Sequence, residues 1–428
     1  MRTPLLEQLI NHQALTGGEP LKIGIINYGG TIMSIPSKED LELLEPLQSK
    51  GEIVNIIMQN ARVGTAAKQG LLELKVLYHN PMDSSQMLDK HRELCLHNLH
   101  AAYMHFDGFM VLHGTDTGAL SARFLHLTLP YHNPLKYWSE GKLDFNWTKP
   151  VILVSSQEPA IEMSEDGKIV PLTGSDGDLN LLLAMILLID KKIGEAGVLT
   201  SGKDALRGPA SQKATESGFP QYICDPGIPV VAERTAFGIN YNDAYFLPTV
   251  HQNRSRVPFV IEDSAQFQDS VLLVSEPNHL ALCKAYLDAL KPDATLNFRT
   301  QPVRNQPVRK LEDVAEYLKE KLPRVILYQS KGAGNVQNED HKILKELEGH
   351  GIYVCKVPIP GGRIPATMHY NVPGRDIPGY NIEGTTARYK SQTVLALMNE
   401  FRIKPDDQNK FFHHMMNFRF GNEFLPTR

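Results

Sequence analysis

Short apolar runs alternate along this chain with helix-like segments. That alternation constrains the fold more than any other feature, because it is the signature of βαβ units and a parallel sheet. The run Lys22–Asn27 ends in Tyr28-Gly29-Gly30-Thr31-Ile32, and Phe109–Leu112 ends in His113-Gly114-Thr115-Asp116-Thr117. Val151–Val154 and Ala196–Thr200 read as further strands. After Thr115, Leu120, Phe124 and Leu127 fall at i, i+4 and i+7 of a helix, and Asp178–Ile193 reads as a largely buried one. The expected class is α/β: a two-domain, three-layer α/β/α protein, with a larger N-terminal domain built on a mainly parallel sheet and a smaller C-terminal parallel-sheet domain.

At 428 residues the chain exceeds one compact core. The polar, basic stretch His251–Pro258 marks a break, so we expect a first domain over 1–250, a linker over 251–268 and a second domain over 269–428. In the second part, Val271–Ser275, Arg324–Gln329 and Ile352–Pro358 read as strands and Thr386–Phe401 as a helix. A helix over 338–349 has Asn338 as its cap, Ile343, Leu344 and Leu347 as its apolar stripe, and Gly349 as its stop. Tyr131–Lys149, rich in Pro, Gly, Trp and charge, reads as a surface insertion. Arg299–Lys310 carries Gln-Pro-Val-Arg twice and reads as a basic surface loop, since proline at that density suits neither a central strand nor a helix. In the tail, Phe411, Met415 and Phe418 share a helical face suited to docking on the body or on another subunit.

The formal charge of −4 argues against nucleic acid or an anionic membrane as the main partner. Cys95, Cys224, Cys283 and Cys355 lie far apart, with no spacing for zinc or a redox dithiol, and read as free thiols in a reducing compartment. His91, His97, His100 and His105 cluster on an expected helix but lack the carboxylate of the zinc-protease pattern. The glycine runs match neither a P-loop nor the dinucleotide fingerprint. No cofactor and no metal is expected. The first ten residues mix charge into their apolar positions, and the longest apolar stretch, Leu181–Ile189, is too short to span a bilayer. A cytoplasmic location is the expectation.

Two threonines at strand ends point to hydroxyl chemistry at the carboxyl edge of a sheet, where open α/β folds bind their ligands. A threonine hydroxyl is scarcely ionised at neutral pH and needs a neighbouring base. A lysine can serve when burial or nearby charge keeps it neutral part of the time. Asp116 adjoins Thr115, and Leu206–Ala214 offers Lys213 on a loop leaving the same edge.

Together, Tyr28–Ile32 and His113–Thr117 resemble the two signatures of the bacterial-type asparaginase and glutaminase family. Met82-Asp83-Ser84-Ser85-Gln86-Met87 and Arg207-Gly208 through Lys213 are similar to its cytoplasmic type I branch. The resemblance implies that Thr31 attacks a side-chain amide to form an acyl-enzyme, releasing ammonia from L-asparagine. It implies that Thr115, Lys213 and Asp116 form the supporting triad. Asp116 would also hold the substrate ammonium, and Asp83, Ser84 and Ser85 would receive its carboxylate. It also implies a homodimer or homotetramer, with the second domain closing a neighbour's site; Asn335 and Glu383 fall in the corresponding segments. One departure stands out: the family's activating loop tyrosine has no counterpart in Met33–Gly51.

Local roles compete with these. Asp83-Ser84-Ser85 could simply cap the helix carrying Leu96 and Leu99, since Asp and Ser favour that position, and Lys213 could be an ordinary loop lysine. Two rival functions are the ammonia-producing subunit of a transfer-RNA amidotransferase, and a catalytically weak amino-acid binder. The first ordinarily carries an extra module before its first threonine motif, where this chain has only Met1–Leu21. The second draws on the missing tyrosine.

Overall fold

A computed structural model describes residues 4–37, 44–59, 61–215, 220–225, 228–235, 238–242, 258–274, 280, 284, 323–330, 336–358, 364, 376–418 and 420. The chain divides into two compact units, Met1–Ala265 with Phe418–Arg428, and Gln266–Asn417. The segments 251–257, 299–310 and 331–335, with Asn335, and Cys283 lie outside the described residues.

The first unit is built on strands β1 (Leu21–Asn27), β4 (Leu72–His79), β5 (Gly108–Leu112), β6 (Val151–Val154), β9 (Ala196–Ser201), β10 (Asp204–Arg207), β13 (Ala232–Thr235) and β14 (Gly238–Tyr241). Smaller hairpins are formed by β2 (Ser34–Pro36) with β3 (Leu44–Pro46), β7 (Ile161–Met163) with β8 (Ile169–Pro171), and β11 (Ser211–Lys213) with β12 (Tyr222–Cys224). The large sheet has the order β14-β13-β10-β9-β6-β5-β1-β4. Its strands from β4 to β9 are parallel, and β10, β13 and β14 add an antiparallel edge. The central strands are apolar at successive positions because both faces are covered. Met110, Leu112, Ile152 and Val154 join one core with the helix Asp176–Asp190, whose Leu183, Ala184 and Leu187 are fully buried. The alternate residues, among them Phe109 and Val111, are buried on the other face, and the helix Gly118–Thr128 packs along β9.

The second unit carries a three-stranded parallel sheet of β15 (Val271–Val274), β16 (Val325–Ser330) and β17 (Tyr353–Pro358). Helices Asn338–Gly349 and Gly384–Glu400 fall where their apolar periodicity places them. Asn338 is not a cap: it is the first helical residue, and Gln337 before it makes no side-chain capping bond. Glu383 does cap, its carboxylate accepting from the N–H groups of Thr385 (3.0 Å) and Thr386 (2.9 Å).

Two further expectations change. Tyr131–Lys149 is not a surface insertion. Asn133 caps a helix at Pro134–Glu140, while Trp147 is fully buried with its ring 4.6 Å from Tyr103 and 6.0 Å from Phe109. Lys149 is buried too, its ammonium donating to the carbonyls of Tyr103 and Phe106. Its charge is satisfied inside the protein, an outcome that composition does not report. The tail helix spans Pro405–Asn417 and buries Phe411 and Met415, but it stops before Phe418. Phe418 lies in the first unit, its ring 4.6 Å from Tyr137. Among the described residues, no helix is long and apolar enough to cross a membrane.

Candidate active site

The site is assembled by loops leaving the carboxyl ends of adjacent strands. Ladder bonding continues into them: Tyr28 N–H donates to Leu112 O, Met82 N–H to Tyr28 O and His113 N–H to Val154 O, each at 2.9 Å. Thr31 opens a tight helical turn, Thr31–Met33, immediately after Gly29 (φ 78°) and Gly30 (φ 80°, ψ 175°). Only glycine adopts the Gly30 conformation without strain. It is required twice over, because a Cβ on Gly30 would fall 2.4 Å from Gly114 Cα. The two threonine loops are therefore in backbone contact, although 84 residues separate Thr31 from Thr115.

The third loop locks onto the second. A Cβ on Gly114 would fall 2.4 Å from the hydroxyl of Ser84. That hydroxyl accepts from Asp116 N–H at 3.3 Å, and Ser84 O accepts from the Thr117 hydroxyl at 2.9 Å. Ser84 is buried, whereas Asp83 and Ser85 are exposed. Asp83 caps the short turn Ser84–Gln86, its carboxylate accepting from Ser85 N–H (2.9 Å) and the Ser85 hydroxyl (2.8 Å). It does not cap the following helix, Asp89–Ala102, whose N-cap is Leu88.

Lys213 arrives on β11 and places its ammonium 2.6 Å from an Asp116 carboxylate oxygen, the side chains being 17% and 43% exposed. Arg123, buried in the helix Gly118–Thr128, anchors that segment by donating to Ser211 O at 2.6 Å. Strand β12 lies alongside, with Tyr222 directly opposite Lys213 in the ladder. The fully buried Tyr222 hydroxyl donates to Thr115 O at 2.7 Å, and burial pushes its phenol pKa up.

Beneath the loops lies a network that sequence reading did not single out. Burial lowers the His113 pKa to about 4, so its ring is neutral. Its Nδ1 is 2.8 Å from Gly114 O and its Nε2 2.8 Å from the Ser121 hydroxyl. The carbonyl can only accept, so Nδ1 carries the proton and Nε2 accepts from Ser121. Ser121 in turn accepts from Arg92 Nε at 3.0 Å, and Arg92 pairs with Asp89 at 2.5 Å. Only His113, inside the quoted motif, offered a signal; Ser121, Arg92 and Tyr222 did not. Tyr28, beside Thr31 in sequence, spends its hydroxyl on His91 O at 2.8 Å. His97 and His100 flank Glu262 at 3.9 and 3.8 Å. Among the described residues, no group of three or more His, Cys, Asp or Glu is placed to hold a metal ion.

A mainly parallel sheet thus gathers two threonine loops, a serine turn and a lysine–aspartate pair at one edge of an α/β protein. Residues 22–135 match the family model described as Asparaginase, N-terminal, so the resemblance is borne out over that stretch. L-asparaginase 1 of Escherichia coli is 31% identical over 152 residues, which is 36% of this chain and 37% of that relative. The match thus spans little more than a third of the curated relative's length. The fold extends further. L-asparaginase I from Vibrio cholerae superposes over 95% of this chain and 100% of its own, at TM-score 0.63 and 19% identity. A probable cytoplasmic L-asparaginase from Campylobacter jejuni covers 92% and 99%, at TM-score 0.53 and 17% identity.

Proposed function

We propose that this protein is an amidohydrolase that converts L-asparagine to L-aspartate and ammonia through a threonine nucleophile. The observation that carries this reading is the convergence of Thr31, Thr115, Asp116 and Lys213 on one sheet edge, through the Gly30–Gly114 contact and the 2.6 Å Lys213–Asp116 pair. Thr31 Oγ attacks the side-chain amide carbon; its proton passes to the departing nitrogen, which leaves as ammonia, and an ester remains on Thr31. Water activated by Thr115 and Lys213 then hydrolyses that ester, freeing aspartate and the hydroxyl. Main-chain N–H groups near Thr115 stabilise the oxyanion of each step, a contribution of about 3 kcal/mol per donor in comparable sites. Asp116 holds the substrate ammonium, and the hydroxyls and main-chain donors of 83–85 hold its carboxylate. Glutamine is the natural second substrate.

The reading extends to a cytoplasmic homo-oligomer in which the second unit closes a neighbour's site. The relatives named above as L-asparaginases support the amidohydrolase reading itself. The absence of tyrosine from Met33–Gly51 favours one alternative, a binder of amino acids with weak or no turnover.

Ammonia release from asparagine and from glutamine separates these readings. Thr31→Ala and Thr115→Ala should each remove at least about a hundred-fold of kcat. Undiminished release in both variants rejects the site. Calorimetric binding of asparagine without ammonia release selects the binder.

A further inference from the structure

We propose that Tyr222 is a positioning residue whose hydroxyl, by holding the Thr115 carbonyl, sets the Thr115–Asp116 peptide between the two reactive side chains. The inference rests on the amidohydrolase reading for its chemistry, but not for its geometry.

That peptide is gripped at both poles. Its carbonyl accepts from Tyr222 at 2.7 Å, and its N–H, belonging to Asp116, donates to Ser84 at 3.3 Å. A peptide plane held by donor and acceptor on opposite sides cannot rotate without breaking one of them, and each bond polarises the other. The side chains flanking the plane are the Thr115 hydroxyl and the Asp116 carboxylate. One two-stranded ladder supplies both outer restraints: Lys213 from β11 holds the Asp116 carboxylate, and Tyr222, facing it on β12, holds the carbonyl one residue back. The spacing of the nucleophile-activating groups is thus set by a two-stranded ladder. Without it, a loop alone would have to set that distance.

The space around the hydroxyl is built for it. Gly118, first residue of the helix after the loop, leaves room that a Cβ would close to 2.4 Å from the Tyr222 oxygen. A phenylalanine would fill the same apolar volume, so the hydroxyl needs its own explanation. A buried phenol must find a partner, and this one takes a loop carbonyl, that of Thr115, beside the reactive aspartate.

Tyr222→Phe isolates that hydroxyl. In steady-state ammonia release, kcat should fall about ten- to fifty-fold, while KM moves less than about three-fold because Asp116 keeps its lysine. Hydrogen–deuterium exchange of the peptide covering Gly114–Thr117 should quicken at least about ten-fold, with β5 unchanged. Unchanged kcat in an active protein overturns the inference and leaves the amidohydrolase reading intact. If the wild-type chain releases no ammonia, that reading fails, and exchange alone decides: local quickening upholds the positioning role, and unaltered exchange ends it. A variant unfolded at assay temperature, or one quickened throughout the sheet, assigns Tyr222 to the core and also overturns the proposal.

Discussion

His113 does its work by staying neutral. Its folded-state pKa, about 4, lies below the 6.5 of an unperturbed histidine, so the unfolded chain binds the proton more readily. Its contribution to stability is complete above pH 6.5 and is lost as pH falls towards 4. The loss amounts to about 3 kcal/mol across that window. His113→Gln should be less stable than wild type at pH 7, since the bonds to Gly114 and Ser121 suffer, and the gap should narrow by roughly that amount by pH 4. Urea midpoints taken in parallel at each pH measure it; two curves declining in parallel would refute the assignment. Lys149 shows the opposite solution to burial. It remains among aromatic rings because two main-chain carbonyls and the Tyr103 face, 4.2 Å from its ammonium, receive it.

At the scale of elements, the junction between the second threonine loop and the helix Gly118–Thr128 is decided by steric fit. Alanine at a helical position ordinarily gains up to about 1 kcal/mol over glycine. Here its methyl would meet the Tyr222 oxygen at 2.4 Å and the Ser155 hydroxyl at 3.1 Å. Gly118→Ala should therefore destabilise the protein by about 1–3 kcal/mol, the usual range for overpacking. Part of that loss should return when Tyr222→Phe is added, giving a coupling of about 1 kcal/mol in a double-mutant cycle. Additive effects in denaturant unfolding would show that the two residues do not share the space described. The same steric logic holds at Gly30, whose Cβ would meet Gly114 Cα at 2.4 Å, and at Gly114, whose Cβ would meet the Ser84 hydroxyl at 2.4 Å.

At the scale of the whole molecule, the proposed function predicts assembly. A protein that completes its site with a second copy should elute as a single species whose light-scattering mass is two or four times that of the chain. A monomer that still releases ammonia would exclude shared sites. Much of the architecture could be read from local pattern. The four apolar runs of the first unit became central strands, because residues buried on both faces leave no polar alternation to misread. The turns after two of them were recognisable from glycines that only a tight bend requires. Two of the misreadings, in the 131–149 stretch and in the tail, share one reason. Trp147 and Lys149 were read as surface by composition, and Phe418 was placed on a helical face by spacing. Their partners Tyr103, Phe106 and Tyr137 are distant in sequence, and distant partners leave no trace in periodicity. Thus the sequence by itself determined the strands, the two threonine turns and the residue types able to do amide chemistry. Only the tertiary structure decided that Lys213 meets Asp116 across 97 residues and that the Tyr222 hydroxyl reaches the carbonyl of the Thr115–Asp116 peptide. Hydrogen bonds of that span depend on how strands are ordered in a sheet, and strand order is settled by packing the whole core.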